Sequence, residues 1–234
     1  MRLRFQHSIP ETNNISSFFF KPETEFNYTA GQYVELTLEH KHPDNRGIKR
    51  WFTLSSSPND ALLSITTKID KDKSSSFKTA LTKLQPDDEL NMTGPMGDFV
   101  LPKILQTPLL FVAGGVGITP FHSILSWLSS TKEERPIKVI YAVKDEEEIL
   151  FLETFHKANQ HVSVIVGNPS PSWGGERGTL SANLILGLTS PTPESLIFVS
   201  GPEPMVEKLE TDLKNNGIKQ SQLVLDFFPN YPDY

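Results

Sequence analysis

Apolar and polar positions alternate with a period of two in short stretches through the first hundred residues. These are Ser16–Lys21, Tyr33–Leu38, Arg50–Leu54, Leu62–Lys68 and Glu89–Thr93. Clusters of Pro, Gly, Asn and Asp separate them, so each stretch predicts a strand closed by a turn. One helix interrupts the series. Ser74-Ser75-Ser76 forms an N-cap cluster, Phe77, Leu81 and Leu84 follow at helical spacing, and Pro86 stops the run. Short strands with a single helix predict a closed, Greek-key antiparallel β-barrel.

Beyond Leu101-Pro102-Lys103 the period changes. Pro108–Ala113 is an unbroken apolar run, the mark of a parallel strand buried on both faces. A glycine-rich turn and a helix from about Pro120 to Ser129 follow it. Strands over Ile137–Val143, His161–Val166, Leu196–Ser200 and Leu223–Leu225 alternate with helices ending near Lys157 and spanning Glu203–Asn215. Strand, turn and helix in repetition predict a parallel sheet covered on both sides, an α/β nucleotide-binding arrangement. The expected division is residues 1–103 for the barrel and 104–234 for the α/β part. Residues 168–178 (NPSPSWGGERG) form a long loop, a kind often functional.

Composition removes several classes of function. The chain has 234 residues, a net charge of -6 and no cysteine. The acidic balance argues against a nucleic-acid partner. Without cysteine there is no disulfide, thiol nucleophile or cysteine-ligated cluster. No apolar run approaches the roughly 20 residues of a membrane span, and the N-terminus lacks the apolar segment of a signal peptide, so the cytoplasm is the expected compartment. The six histidines are scattered; His40 and His42, beside Asp44, sit in a polar stretch that reads as a solvated turn. No metal site is expected.

Candidate chemistry begins at Gly114-Gly115-Val116-Gly117-Ile118-Thr119-Pro120, between a buried strand and a helix. Glycines let a backbone approach a pyrophosphate, and a helix start offers unpaired N–H groups and a positive dipole end. Thr119 can cap or donate a hydrogen bond, and Pro120 suits a first turn. The spacing differs from the G-x-G-x-x-G fingerprint, which points to another dinucleotide-binding variant. In Arg50-Trp51-Phe52-Thr53, alternation puts Arg50 and Phe52 on one face and Trp51 and Thr53 on the other. By spacing alone this is an edge strand with a solvated Arg.

Five segments in order resemble the ferredoxin–NADP reductase-like superfamily, which includes cytochrome b5 reductases and flavohaemoglobin reductase domains. Ala30-Gly31-Gln32-Tyr33-Val34 is similar to its Gly-Gln-aromatic strand, and Arg50–Thr53 to its Arg-x-Tyr-Ser/Thr flavin motif. Gly94-Pro95-Met96-Gly97-Asp98-Phe99 resembles the turn that closes the flavin domain. Gly114–Pro120 resembles the nicotinamide pyrophosphate turn, and Ser200-Gly201-Pro202-Glu203-Pro204-Met205 the Cys-Gly-Pro-x-x-Met segment.

The resemblance implies an FAD-dependent NAD(P)H oxidoreductase, with FMN the lesser alternative, that passes electrons to a separate acceptor: a carrier protein, a membrane complex or a small molecule. It implies Arg50 on the flavin pyrophosphate, Phe52 against the isoalloxazine with Trp51 alongside, and Thr53 near N5. Ser74, Ser75 and Ser76 fall where the family has a Gly-x-x-Ser helix start on the second phosphate, but Asp72 stands at the glycine. Gly114, Gly115, Gly117, Thr119, Pro120, Gly201, Pro202 and Met205 would hold the nicotinamide nucleotide. Ser200 replaces the usual cysteine and Phe52 the usual tyrosine. Thr53, Ser200, Asp226 and Phe228 are the candidate catalytic residues. Phe228, with Tyr231 as alternative, would stack on the flavin and swing away when nicotinamide enters. The acidic run Asp145–Glu148 favours NADH, although Lys144 and Arg177 leave NADPH open. A non-catalytic flavin- or nucleotide-binding sensor, or a subunit of an electron-transfer complex, is the rival reading.

Overall fold

The computed structural model describes residues 1–70, 74–158 and 162–227. Its N-terminal part is a six-stranded antiparallel sheet of β1 (Arg2–Pro10), β2 (Ile15–Pro22), β3 (Tyr33–Thr37), β4 (Lys49–Thr53), β5 (Leu63–Lys68) and β6 (Glu89–Met96). The order is β4-β3-β6-β1-β2-β5, so β6 enters between β3 and β1. The sheet curls until its edges meet, with a bridge between Leu54 and Ile65 and a bond from Ser55 N to Ser64 O at 2.8 Å. Leu3, Phe18, Phe20, Val34, Leu36 and Ile65 fill the interior, alternate residues of their strands as the pleat requires. Helix α1 (Ser76–Leu81) plugs one end with Phe77 and Leu81, and Ser75 Oγ caps it by accepting from Lys78 N at 3.2 Å.

The C-terminal part is a six-stranded parallel sheet in the order β10-β9-β8-β7-β11-β12. Its strands are β7 (Leu109–Gly114), β8 (Ile137–Val143), β9 (Val162–Val166), β10 (Glu176–Arg177), β11 (Leu196–Ser200) and β12 (Leu223–Asp226). Every residue of β7 is buried, as its unbroken apolar run predicts. Phe111 and Ala113 pack towards α2 (Thr119–Thr131) and α3 (Leu152–Lys157). Leu110 and Val112 pack towards α4 (Ala182–Thr189) and α5 (Glu203–Asn215). Chain order reverses between β7 and β11, which makes the crevice beyond their carboxyl ends the natural ligand position.

Three elements escape the sequence reading: β1, β10 and α4. The acidic run makes only a single 3₁₀ turn over Glu146–Glu148, and α3 starts later at Leu152 after Phe151 takes φ +57°.

The two sheets meet across a mixed seam. Phe99 leaves the first part and packs edge-on against Phe121 and Phe198, at ring separations of 5.4 and 5.0 Å. Around it, α2 reaches the loop after β4. His122 Nδ1 donates to Ser55 O at 2.7 Å, Ser123 Oγ donates to Ser56 O, and Asn59 Nδ2 donates to Ser130 Oγ at 2.8 Å. Lys68 Nζ pairs with Glu148 Oε1 at 2.9 Å.

Candidate functional site

A cavity of about 1150 Å³ lies between the two sheets, walled by residues from both. On the antiparallel side are Arg50, Trp51, Phe52 and Thr53 of β4, with Ser74 and Ser75 before α1. On the parallel side are Gly114, Gly115, Gly117 and Thr119 after β7, Ser200, Gly201, Pro202 and Met205 after β11, and Asp226 ending β12. Residues as distant in the chain as Ile15 and Phe227 thus face one space, Arg50 and Asp226 among them. Pro120 is buried in the first turn of α2 and Ser76 Oγ is turned away, accepting from Asp44 N at 2.8 Å and bonded to His40 Nε2 at 3.0 Å; neither lines the cavity. These two side chains thus stand apart from the cavity lining. Phe228, Tyr231 and Asp72 lie outside the described residues.

Strand β4 carries its residues as alternation requires at first. Arg50 and Phe52 point inward opposite Leu36 and Val34, while Trp51 is 40% exposed. Two expectations change. Arg50 is not solvated: it is buried, its Nη1 donates to Arg46 O at 2.7 Å and Gly47 O at 3.1 Å, and its Nη2 meets Asp44 Oδ1 at 3.1 Å. Phe52 is largely covered by the barrel core, 5.8 Å from the Phe77 ring, so only part of it borders the cavity, and Trp51 is the more open aromatic there. Thr53 is buried because the strand ends where the barrel closes.

The loop before β4, read from sequence as a solvated turn, builds the Arg50 setting. Burial works against the Asp44 carboxylate, but N–H groups of Ser76 and Arg46 and the guanidiniums of Arg46 and Arg50 outweigh it and hold its pKa below the usual value. Four cations border the cavity on this side: Arg46, Arg50, Lys68 and Lys78. Ser74 Oγ is buried with no hydrogen-bond partner among the described residues. A buried hydroxyl without a partner is uncommon, and here it stands beside cations.

The parallel side is shaped by backbone proximity. Gly115 takes φ +54° with open space where a Cβ would project, so its main chain lies bare to the cavity. At Gly117 a Cβ would overlap the Ser200 carbonyl, which shows how closely the turns after β7 and β11 approach. Ser200 and Asp226 are partners in the β11–β12 ladder, and Ser200 Oγ donates to Asp226 Oδ2 at 3.0 Å. Burial pushes the Asp226 carboxyl up to about 6; the Ser200 bond opposes this and Asp98 adds to it. Arg177, considered for a 2′-phosphate, instead spends its guanidinium on the long loop, donating to the carbonyls of Ser170, Pro171 and Trp173. Asp145 and Glu146 are similarly engaged, with Asn168 Nδ2 and Ser170 N. Lys144 borders the cavity.

The residues present fit nucleotide phosphates: an open glycine backbone at a helix start on one wall, and an orphaned hydroxyl among cations on the other. Comparison with known proteins agrees. Residues 111–211 match the family model described as the oxidoreductase NAD-binding domain. The chain is 29% identical over 228 residues to a glycine betaine monooxygenase reductase subunit of Chromohalobacter salexigens, covering 91% of this chain and 60% of that one. It is also 29% identical over 236 residues to the stachydrine N-demethylase reductase subunit Stc4 of Rhizobium meliloti, covering 96% and 65%. It therefore spans about two thirds or less of these relatives' lengths. Among solved structures, the flavohaem-like FAD/NAD-binding domain of nitric oxide dioxygenase from Vibrio cholerae superposes with a TM-score of 0.80 at 18% identity, covering 97% of this chain and 98% of that one. The chain has the ferredoxin–NADP reductase-like fold, and most of its second part is similar to the oxidoreductase NAD-binding domain. Among the described residues, no helix is long and apolar enough to cross a membrane.

Proposed function

We propose that the chain is a flavin-dependent NAD(P)H oxidoreductase, in which residues 1–103 hold FAD and residues 104–234 hold NADH or NADPH. The observation that carries this is a cavity walled by both sheets, with a phosphate-type lining on each wall. Bound there, the flavin supplies hydride uptake from the nicotinamide and release of electrons to a separate acceptor. The protein's own work is positioning. Arg50, Ser74 and Ser75 hold the flavin phosphates, and Thr53, Phe52 and Trp51 border its ring. The Gly114–Gly117 turn and the start of α2 hold the nicotinamide pyrophosphate, where N–H groups converge. Ser200, its hydroxyl fixed by Asp226, orients the nicotinamide ring against Thr53. The relatives named as reductase subunits support a partner protein as acceptor.

Anaerobic titration of the purified protein with NADH and with NADPH tests the reading. The expected result is a flavin spectrum bleached by one of them, which also decides the co-substrate. A protein that binds flavin but is bleached by neither would favour the sensor or subunit reading.

A further inference from the structure

Lys78 stands on α1, three residues past the cap, where neither motif nor alternation marks it. Its Nζ borders the cavity and donates to Lys68 O at 2.9 Å; among the described residues its other two protons meet no acceptor. The charges acting on it are all positive. Burial, then Arg46, Arg50 and Lys68, lower its pKa to about 8. The acids on this wall are Asp44, bound to Arg46 and Arg50, Glu148, bound to Lys68, and Asp70. A partly buried ammonium among three cations is electrostatically costly unless an anion joins them. The unpartnered Ser74 hydroxyl on the same wall supplies the neutral donor such an anion needs.

We infer that Lys78 is a phosphate ligand: with Ser74 it binds the phosphoryl oxygens of the flavin nucleotide. The inference rests on the flavin reading above and adds a residue to it. A lysine in that place makes nucleotide affinity depend on its own proton. An anion holds the proton on Lys78, so affinity is full below pH 8 and falls above it.

Apoprotein titrated with FAD, FMN and riboflavin by flavin fluorescence at pH 7 and pH 9 tests this. Wild type should bind FAD about tenfold more weakly at pH 9, as a pKa of about 8 dictates. Lys78→Met should lose tenfold to a hundredfold at pH 7 and respond little to pH. Lys78→Arg, charged throughout, should retain affinity at both values. Riboflavin, without phosphate, should bind alike to all three. Lys78→Met binding FAD as wild type does, with the same pH response, would overturn the inference, as would equal losses for riboflavin and FAD. Thermal stabilisation by inorganic pyrophosphate separates the two levels: wild type stabilised and Lys78→Met not, without flavin binding by either, would uphold the anion site and sink the flavin reading. Wild type indifferent to pyrophosphate and to every flavin would overturn both.

Discussion

Ser200 and Asp226 end neighbouring parallel strands, and their 3.0 Å bond borders the cavity. The carboxyl titrates near 6, above its unfolded value of about 3.9. The folded state thus holds this proton more tightly than the unfolded chain. Its contribution is fully favourable below pH 4 and is lost as pH rises to 6, after which the buried charge costs on the order of 1–3 kcal/mol. Asp226→Asn should raise the melting temperature at pH 8 and remove this component between pH 4 and 6. If Asp226 also positions Ser200, the same variant should lose the pH dependence of flavin reduction near 6 in stopped-flow measurements. At this scale the sequence is a partial guide. The family motifs point to Arg50, Thr53, Ser200 and Asp226, which line the cavity, but nothing local marks Lys78 or Arg46, which line it only because the curl of the barrel brings α1, β5 and the loop before β4 to one wall.

Elements were legible where pattern and burial agree. β7 is buried on both faces and reads as an apolar run; β3 and β4 are buried on one face and read as alternation. β1 alternates only in its first half, Leu3 and Phe5 inward, and is then exposed on both faces to Pro10, so its signal fades. α4 is eight residues long with Gly187 inside, too short and too interrupted for a clear helical period. β10, two exposed residues long, has no pattern to read. Among the elements that were legible, the turn joining β7 to α2 sets a strict steric demand. Gly117→Ala would drive a methyl into the Ser200 backbone, forcing the β7 and β11 turns apart. Nicotinamide affinity should fall at least tenfold by calorimetry, while flavin content stays at the wild-type level.

The whole molecule depends on a seam in which two α2 side chains, His122 and Ser123, donate to main-chain carbonyls of the loop after β4. Burial lowers the His122 pKa despite the Ser55 bond and the acids Asp60 and Glu11, so the ring is neutral in the fold, tilted against Phe151 with ring centroids 3.9 Å apart. Because the unfolded histidine titrates near 6.5, stability should fall as pH drops below that value and level off once the folded ring protonates. Urea midpoints between pH 7 and 5 measure this, and His122→Gln, which can still donate to Ser55 O, should abolish that component of the slope. No sequence pattern exposes this seam, since a lone histidine on a helix more often serves a core or a surface.

The cations on the cavity wall also bear on how fast an anionic nucleotide arrives. The chain as a whole carries a net charge of -6, while Arg46, Arg50, Lys68 and Lys78 gather on one wall of the cleft. An approaching nucleotide therefore meets repulsion first and attraction only near contact. Salt screens the distant field over about 10 Å at 0.1 M and weakens buried interactions far less. Moderate ionic strength should thus leave the encounter rate level or raise it, the reverse of ordinary steering by a basic surface.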